Sequence, residues 1–145
     1  MATAQDAELI LKLYELRRDE TMREARKFIA LEFFPETIDD LKRLTADPQN
    51  NAYVRMVFGY WDMAAALVNH GTIDRQLFYD ANAEFFGAWS KVAHFIDDLR
   101  QFVGVPQFLA NLEKLVAAHP DGHERTAQIR ERLKVMATGM SAGQK

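Results

Sequence analysis

The chain has 145 residues, a length typical of one domain, and a globular composition with 48% apolar and 27% charged residues. It contains no cysteine, which excludes disulfide scaffolds, thiolate metal sites and cysteine nucleophiles. The net charge of −3 provides no overall positive field for nucleic acid. We expect one helical domain over residues 1–137 and a flexible tail over residues 138–145.

The first predicted helix is long and runs from about Ala4 to Glu32. Thr3 is placed to cap its N-terminus, with Asp6 three residues later reaching back to the cap. Two apolar stripes follow, and the polar segment from Arg17 to Thr21 separates them. The two halves therefore contact different partners, or the helix kinks at this segment, and the sequence leaves both alternatives open.

Two further helices are predicted before the middle of the chain. Thr37 and Asp40 form a capping-box pattern, which predicts a short helix from Ile38 to Leu44. Residues 46–51 include an Asp-Pro pair and are predicted to form a loop. Apolar residues then recur at three- and four-residue steps, which predicts a third helix from about Ala52 to Asn69.

The segment from His70 to Asp74 predicts the turn of a central helical hairpin. Gly71 stands where a left-handed residue ends a helix, and Asp74 can cap the helix that follows. Ile73, just before that cap, can act as a hydrophobic staple. His70 lies near a helix C-terminus, where a capping role accounts for it.

The rest of the chain also has helical periodicity. A fourth helix is predicted from about Arg75 to Phe102, with a wide apolar stripe typical of a bundle interior. A fifth is predicted from Gln107 to Ala118 and a sixth from about Glu124 to Ala137. Strand signals are weak throughout. The sequence thus predicts an all-α bundle of five to six helices.

Motifs for catalysis or cofactor binding are missing from the sequence. It has no Glu-x-x-His pair, no phosphate-binding glycine loop and no Gly-x-Ser-x-Gly. His119 and His123 are four residues apart, but an intervening Pro-Asp-Gly turn disfavours a shared helix face. We therefore predict no catalytic, metal-binding or cofactor-binding residue. An acid–base pair of carboxylates, with Asp62 or Glu84 as members, is the alternative in which the chain is an enzyme.

Two groups of residues are candidates for contacts with other molecules. Aromatic residues make up 11% of the chain and are mostly expected in the core, but three fall outside the main apolar stripes and are interface candidates. Basic residues cluster in the first helix among acidic ones, as on a solvated helix face, and their alternative role is contact with an anion or nucleic acid. The interface candidates are Tyr60, Tyr79 and Phe86, and the basic residues are Arg17, Arg18, Arg23, Arg26 and Lys27.

The central third of the chain resembles a known family. An aromatic-rich helix from Phe58 leads through the Gly-Thr-Ile-Asp turn, and a second helix carries Trp89 and closes on Asp98-Leu-Arg100. This pattern resembles an uncharacterised bacterial family of all-helical domains of unknown function, over about residues 54–100. The resemblance implies a helical fold and no catalytic residue. Many members carry an N-terminal membrane helix, which has no counterpart in this sequence.

The expected function follows from the lack of catalytic and cofactor-binding motifs in the sequence and from its many aromatic residues. The N-terminus has no signal-peptide pattern, and the longest apolar stretch, Met63 to Val68, is far shorter than the ~20 residues of a membrane span. We expect a bacterial, cytoplasmic protein that acts through protein–protein contact, with a homo-oligomer as the first candidate and no cofactor. The alternatives are a regulator that binds a small molecule or nucleic acid through Arg17–Lys27, and an enzyme.

Overall fold

A computed structural model describes the backbone of residues 1–143 and the side chains of residues 1–136. Within that range the chain forms nine α-helices, one short 3-10 helix at Ala93–Phe95 and no strand. The predicted all-α fold is confirmed, although the helices are shorter and more numerous than the five to six predicted. They are α1 (Ala4–Leu16), α2 (Glu20–Leu31), α3 (Ile38–Thr45), α4 (Pro48–Asn69), α5 (Arg75–Ala81), α6 (Glu84–Ser90), α7 (Ile96–Val103), α8 (Ala110–Ala118) and α9 (Gly122–Gly143).

A continuous helix over residues 4–32 is wrong, and the alternative of an interruption at the polar segment is nearer, because α1 and α2 are separate helices. The break lies within the predicted polar segment, between Leu16 and Glu20. The Asp19 carboxylate accepts a hydrogen bond from the Met22 N–H at 3.2 Å and so starts α2 afresh. The capping boxes predicted at the starts of α1 and α3 are both present.

The predicted loop over residues 46–51 is also wrong, because α4 begins at Pro48. Asp47 caps this helix by accepting hydrogen bonds from the N–H groups of Gln49 and Asn50. Proline is tolerated in a first turn, where its missing N–H has no helical partner in any case. The Asp-Pro pair therefore starts a helix here instead of marking a loop.

The turn between α4 and α5 is formed as predicted. Gly71 has a φ of +81°, and its N–H and that of Thr72 donate to carbonyls in the last turn of α4. The Asp74 side chain accepts a hydrogen bond from the Leu77 N–H at 2.9 Å and caps α5. Ile73 is completely buried, in agreement with its predicted role as a staple.

The Asp6 carboxylate links this turn to the start of the chain. One of its oxygens accepts hydrogen bonds from Thr3, and the other accepts the Asp74 N–H at 3.1 Å. These bonds, those from the Thr3 backbone above all, lower the pKa of Asp6. Asp6, a member of the capping box of α1, therefore also hydrogen-bonds to Asp74, the N-cap residue of α5.

The predicted fourth helix is divided into α5, α6, the 3-10 helix and α7, and the first break lies at Asn82, where the chain leaves helical geometry. Its backbone is extended, and its amide group donates to the Phe78 carbonyl and accepts from the Arg17 guanidinium at 2.7 Å. Phe78 and Phe85, on either side of the break, are both completely buried. The apolar periodicity thus continues across a break in the helix, which explains why the pattern alone predicted one element.

The C-terminal helices differ from the prediction at their ends. α8 begins at Ala110 and not at Gln107, since Leu109 before it has a left-handed φ of +59°. α9 runs from Gly122 to Gly143, past the predicted end at Ala137. Residues 144–145 of the predicted tail lie outside the described residues.

The buried side chains form one apolar cluster around α4. This helix packs against α2, α3 and α8, while α9 packs against α6 and α8. Among the described residues, no helix combines the length and the apolar character needed to cross a membrane. The largest fully buried side chains are Trp61, Phe33, Phe58, Phe78, Phe85 and Phe86.

Candidate functional site

A groove with mostly apolar walls lies between α3, α4, α7 and residues 104–109. Its volume is about 370 Å³, within the size range of small-molecule sites in proteins. We call it the apolar groove. It is lined by Leu41, Thr45, Asn51, Val54, Arg55, Phe58, Val92, Leu99, Phe102, Val103, Val105, Phe108 and Leu109.

The apolar groove has an open side formed by three large apolar residues. Phe102, Val103 and Val105 are 52%, 42% and 47% exposed, although each also lines the groove. The Lys42 ammonium lies 5.1 Å from the centre of the Phe102 ring. Apolar side chains that stay exposed side by side next to a cavity are typical of binding surfaces.

Few polar groups line the apolar groove. The Thr45 hydroxyl donates to the Leu41 carbonyl at 2.7 Å and is thereby satisfied within α3. Arg55 is exposed and forms no ion pair within residues 1–136. A mostly apolar surface with one unpaired guanidinium suits a ligand that has an apolar body and an anionic group.

Arg100 holds in place the segment that closes one side of the groove. Its Nε donates to the Phe108 carbonyl at 2.9 Å, and its second guanidinium nitrogen pairs with Glu113 of α8 at 3.0 Å. Gly104 ends α7 with a φ of +78°, which favours glycine because a β-carbon is strained there. The side chain of Leu109, at the other end of the segment, is buried.

Asp62, which the sequence offered as a possible catalytic carboxylate, lies on α4 and caps the N-terminus of α8. Its carboxylate accepts the Leu112 N–H at 2.9 Å and the side-chain amide of Asn111 at 3.2 Å. Leu109, which occupies the N-cap position of α8, has no side-chain oxygen to do this. The position of α8, and with it one end of the groove, therefore depends on a residue of α4.

A second cavity, of about 200 Å³, lies between α2, α4, α6 and α9 and contains a buried amine. Lys91 is 5% exposed, and its ammonium donates to the Ile29 and Ala30 carbonyls near the end of α2. The ammonium also lies 3.9 Å from the centre of the Phe34 ring. Burial lowers the pKa of Lys91 to about 8. These contacts give Lys91 the role of a C-terminal cap for α2.

The other polar groups of this second cavity are mostly paired. Arg26 and Glu84 form an ion pair at 3.0 Å, and Arg26 also donates to the Arg17 carbonyl. Trp61 lines the cavity, and its buried indole N–H has no hydrogen-bond partner among the described residues. The arrangement joins helix ends and provides no free acid or base beside the amine.

The three aromatic interface candidates lie inside the protein or at its edge, contrary to the expectation that they fall outside the core. Tyr60 and Phe86 are buried, and Tyr79 is half-buried. The Tyr60 hydroxyl donates to the Leu13 carbonyl, and the Tyr79 hydroxyl donates to the Leu115 carbonyl at 2.6 Å. The apolar periodicity did not predict the burial of these residues, because α4 and α6 each pack against several helices, which bury more than one of their faces.

The predicted basic cluster is divided between the interior and the surface. Besides its bond to Asn82, the Arg17 guanidinium lies 5.4 Å from the centre of a Trp61 ring, and Arg26 is paired as described. Arg18, Arg23 and Lys27 remain exposed. The five residues therefore do not form one basic face, and an anion contact by the three exposed residues stays a prediction.

The carboxylates and histidines proposed as candidates have separate partners in the part of the chain that the structure describes. Asp62 and Glu84 are engaged by different partners, α8 and Arg26. His70 is the C-cap residue of α4, and His119 accepts the Asp121 N–H at 3.1 Å. Among the described residues, no three His, Asp or Glu side chains are grouped so that they could hold a metal ion.

Comparison with protein families finds a match over most of the chain. The family model described as Domain of unknown function (DUF4760) matches residues 2–118. No curated protein and no solved structure matches the chain. The match includes the stretch over residues 54–100 on which the resemblance was based, and extends it through α1 to α8.

Proposed function

Since this chain belongs to the DUF4760 family, whose function is unknown, we propose a function from the geometry of the apolar groove. The chain is a binding protein that takes a small amphipathic anion into the groove. Its ligand has an apolar body and one anionic group such as a carboxylate. The observation that carries this proposal is an apolar cavity of about 370 Å³ with an unpaired arginine on its wall.

The apolar body of the ligand is accounted for by the walls of the groove. Each square ångström of apolar surface that leaves water contributes about 25 cal/mol, so a ligand that covers Phe102, Val103 and Val105 gains from both surfaces. These side chains are already in place on α7 and the segment after it. Little ordering of the protein is then needed before the ligand binds.

The anionic group is accounted for by Arg55 in the lining and by Lys42, whose ammonium lies over the ring of Phe102. Neither cation has a carboxylate partner within residues 1–136. A partly exposed ion pair is worth about 1 kcal/mol or less, so it selects among ligands more than it drives binding. We therefore expect ligands of equal apolar size to rank by the charge of their polar end.

Competitive dye binding tests the proposal. The anionic dye 1-anilinonaphthalene-8-sulfonate is bound to the full-length protein and then displaced by decanoate, decanol or decylamine below their micelle-forming concentrations. We expect decanoate to displace the dye at the lowest concentration and decylamine at the highest. Equal displacement by all three, or none by any, would show that the groove does not bind an amphipathic anion.

Two pairs of variants locate the binding in the groove. Phe102→Ser weakens the binding of decanoate and decanol alike, whereas Met63→Ser, at another exposed apolar residue, leaves both unchanged. Arg55→Gln removes the preference for decanoate over decanol, about threefold, whereas Arg132→Gln on α9 retains it. Displacement that is the same in Phe102→Ser and the parent would place the binding elsewhere.

Self-association is the second candidate function, and the exposure of Phe102, Val103 and Val105 is what favours it. In this proposal a second copy of the chain covers the three residues, and protein–protein contact replaces the ligand. Light scattering on the eluting peak of a sizing column distinguishes the two. A dimer that Phe102→Ser converts to a monomer supports self-association, and a monomer at all concentrations rejects it.

We further propose that the protein is cytoplasmic and bacterial. The cytoplasmic location is supported by a chain without cysteine, which suits a reducing compartment. The bacterial source is supported by the resemblance of the central helices to a bacterial family. Fractionation of cells that express the chain under its natural promoter tests the location, and recovery from a membrane or secreted fraction would contradict it.

A further inference from the structure

A third cavity, of about 320 Å³, lies where α6, the 3-10 helix, α8 and α9 meet. Its apolar lining includes Trp89 and Val116, both buried. Three basic side chains from two elements also line it: His94 from the 3-10 helix, and His123 and Arg130 from α9. We call it the basic cavity.

The basic cavity has little negative charge of its own. Among the described residues, Glu113 is the one carboxylate in its lining, and Arg100 pairs with it at 3.0 Å from outside the lining. Arg130 contacts Glu36 and the Ser90 carbonyl only at the long distances of 3.5 and 3.4 Å. Its guanidinium therefore has donors that are weakly used.

The backbone of the segment before α3 orients the ring of His94. Its Nε2 lies 3.1 Å from the Pro35 carbonyl, which can only accept, so the ring donates through this nitrogen and a neutral ring has its acceptor at Nδ1. Partial burial and the charge of Arg130 lower the pKa of His94. An anion bound beside both groups would oppose that effect of Arg130 and favour the protonated ring.

We propose that the basic cavity binds a small phosphate monoester, with the phosphate held by Arg130, His94 and His123 and the organic part against Trp89. A phosphate has several acceptor oxygens in different directions, which suits donors that come from separate elements. A carboxylate is planar, carries one charge and uses fewer of these donors. This site shares no lining residue with the apolar groove and stands independently of the function proposed there.

Titration calorimetry on the full-length protein at low salt tests the site. The probes are phenyl phosphate, inorganic phosphate and benzoate. We expect phenyl phosphate to bind most tightly, inorganic phosphate more weakly because it has no organic part, and benzoate most weakly. Failure of phenyl phosphate to bind, or binding no tighter than that of benzoate, would overturn the proposal.

Variants decide whether the named residues hold the phosphate. His123→Gln, at an exposed position, is expected to weaken phenyl phosphate binding about threefold, and Arg130→Gln about tenfold. Arg132→Gln, which changes an exposed arginine outside the lining, is the matched control and should bind like the parent. Equal affinity in the His123→Gln variant and the control would overturn the assignment even if Arg130→Gln fails to fold.

Discussion

Replacing Asp62 with alanine removes the side chain that caps α8. The carboxylate accepts the Leu112 N–H at 2.9 Å and the Asn111 side chain at 3.2 Å, and Leu109 cannot substitute for it. A lost N-cap costs about 1 kcal/mol, and the loss of a negative charge beside a helix N-terminus costs about 0.5 kcal/mol more. We therefore expect the free energy of unfolding of Asp62→Ala to fall by about 1.5 kcal/mol, and its Tm by about 3–6 °C.

Urea unfolding followed by far-ultraviolet circular dichroism measures this change. The midpoint should fall while the dependence of free energy on urea stays the same, because the surface exposed on unfolding is unchanged. Asp62→Asn retains an acceptor oxygen without the charge and should lose about 0.5 kcal/mol. Glu8→Ala, an exposed carboxylate of α1, is the control and should stay within about 0.5 kcal/mol of the parent.

Hydrogen exchange gives the same prediction a local readout. In Asp62→Ala the amide of Leu112 loses its acceptor, so it should exchange faster than in the parent. The reasoning would be refuted if Asp62→Ala matched Glu8→Ala in stability. It would equally be refuted if the Leu112 amide kept its protection, because α8 would then have another cap.

Three further predictions concern Lys91, Gly71 and Gly59. The folded-state pKa of Lys91 is about 8, below the usual 10.5, so the unfolded chain binds more protons between these values and stability rises with pH across them. Between pH 8 and 9.5 the parent should gain about 1–2 kcal/mol in urea unfolding relative to Lys91→Met, and parallel profiles would contradict this. Gly71 has a φ of +81° and open space around it, so Gly71→Val should cost about 1–2 kcal/mol through backbone strain alone. Gly59 lies inside α4, also has open space around it and has no positive φ. Gly59→Ala should therefore stabilise the protein by about 0.5–1 kcal/mol and raise its thermal midpoint. A lower midpoint would contradict the open space described at Gly59.

Local signals in the sequence were reliable where the structure is also local. The capping boxes at Thr3 and Thr37 and the turn at Gly71 each depend on residues within a few positions of one another. Their hydrogen bonds are set by side-chain chemistry and backbone conformation, which a short pattern specifies. The helical class follows from the same signals.

The breaks inside the long predicted helices could not be located in this way. Asn82 leaves helical geometry where its side chain meets Arg17, which is distant in the sequence. A periodic apolar pattern reports which residues are buried, and Phe78 and Phe85 are buried on both sides of the break. Tertiary contacts therefore decide whether one apolar stripe forms one helix or several.

The candidate sites were harder to predict than the fold, for a related reason. The apolar groove combines residues of α3, α4, α7 and the segment after α7, and no spacing in the sequence connects them. Arg17 and Asp62 have polar side chains that serve as internal partners, and their identity alone does not distinguish that role from a ligand contact. The short apolar run around Gly104 was the local sequence signal for the open side of the apolar groove.

The double use of Asp6 has a consequence for the order in which the protein is made. The hydrogen bonds between Asp6 and Thr3 can form once the first turn of α1 has been synthesised. The second carboxylate oxygen of Asp6 accepts the Asp74 N–H, which does not exist until the ribosome has passed the middle of the chain. Removal of the residues before Ala7 during that interval would leave in the chain the residues of every helix from α2 onward. That chain would complete its synthesis with the central turn lacking one of its supports.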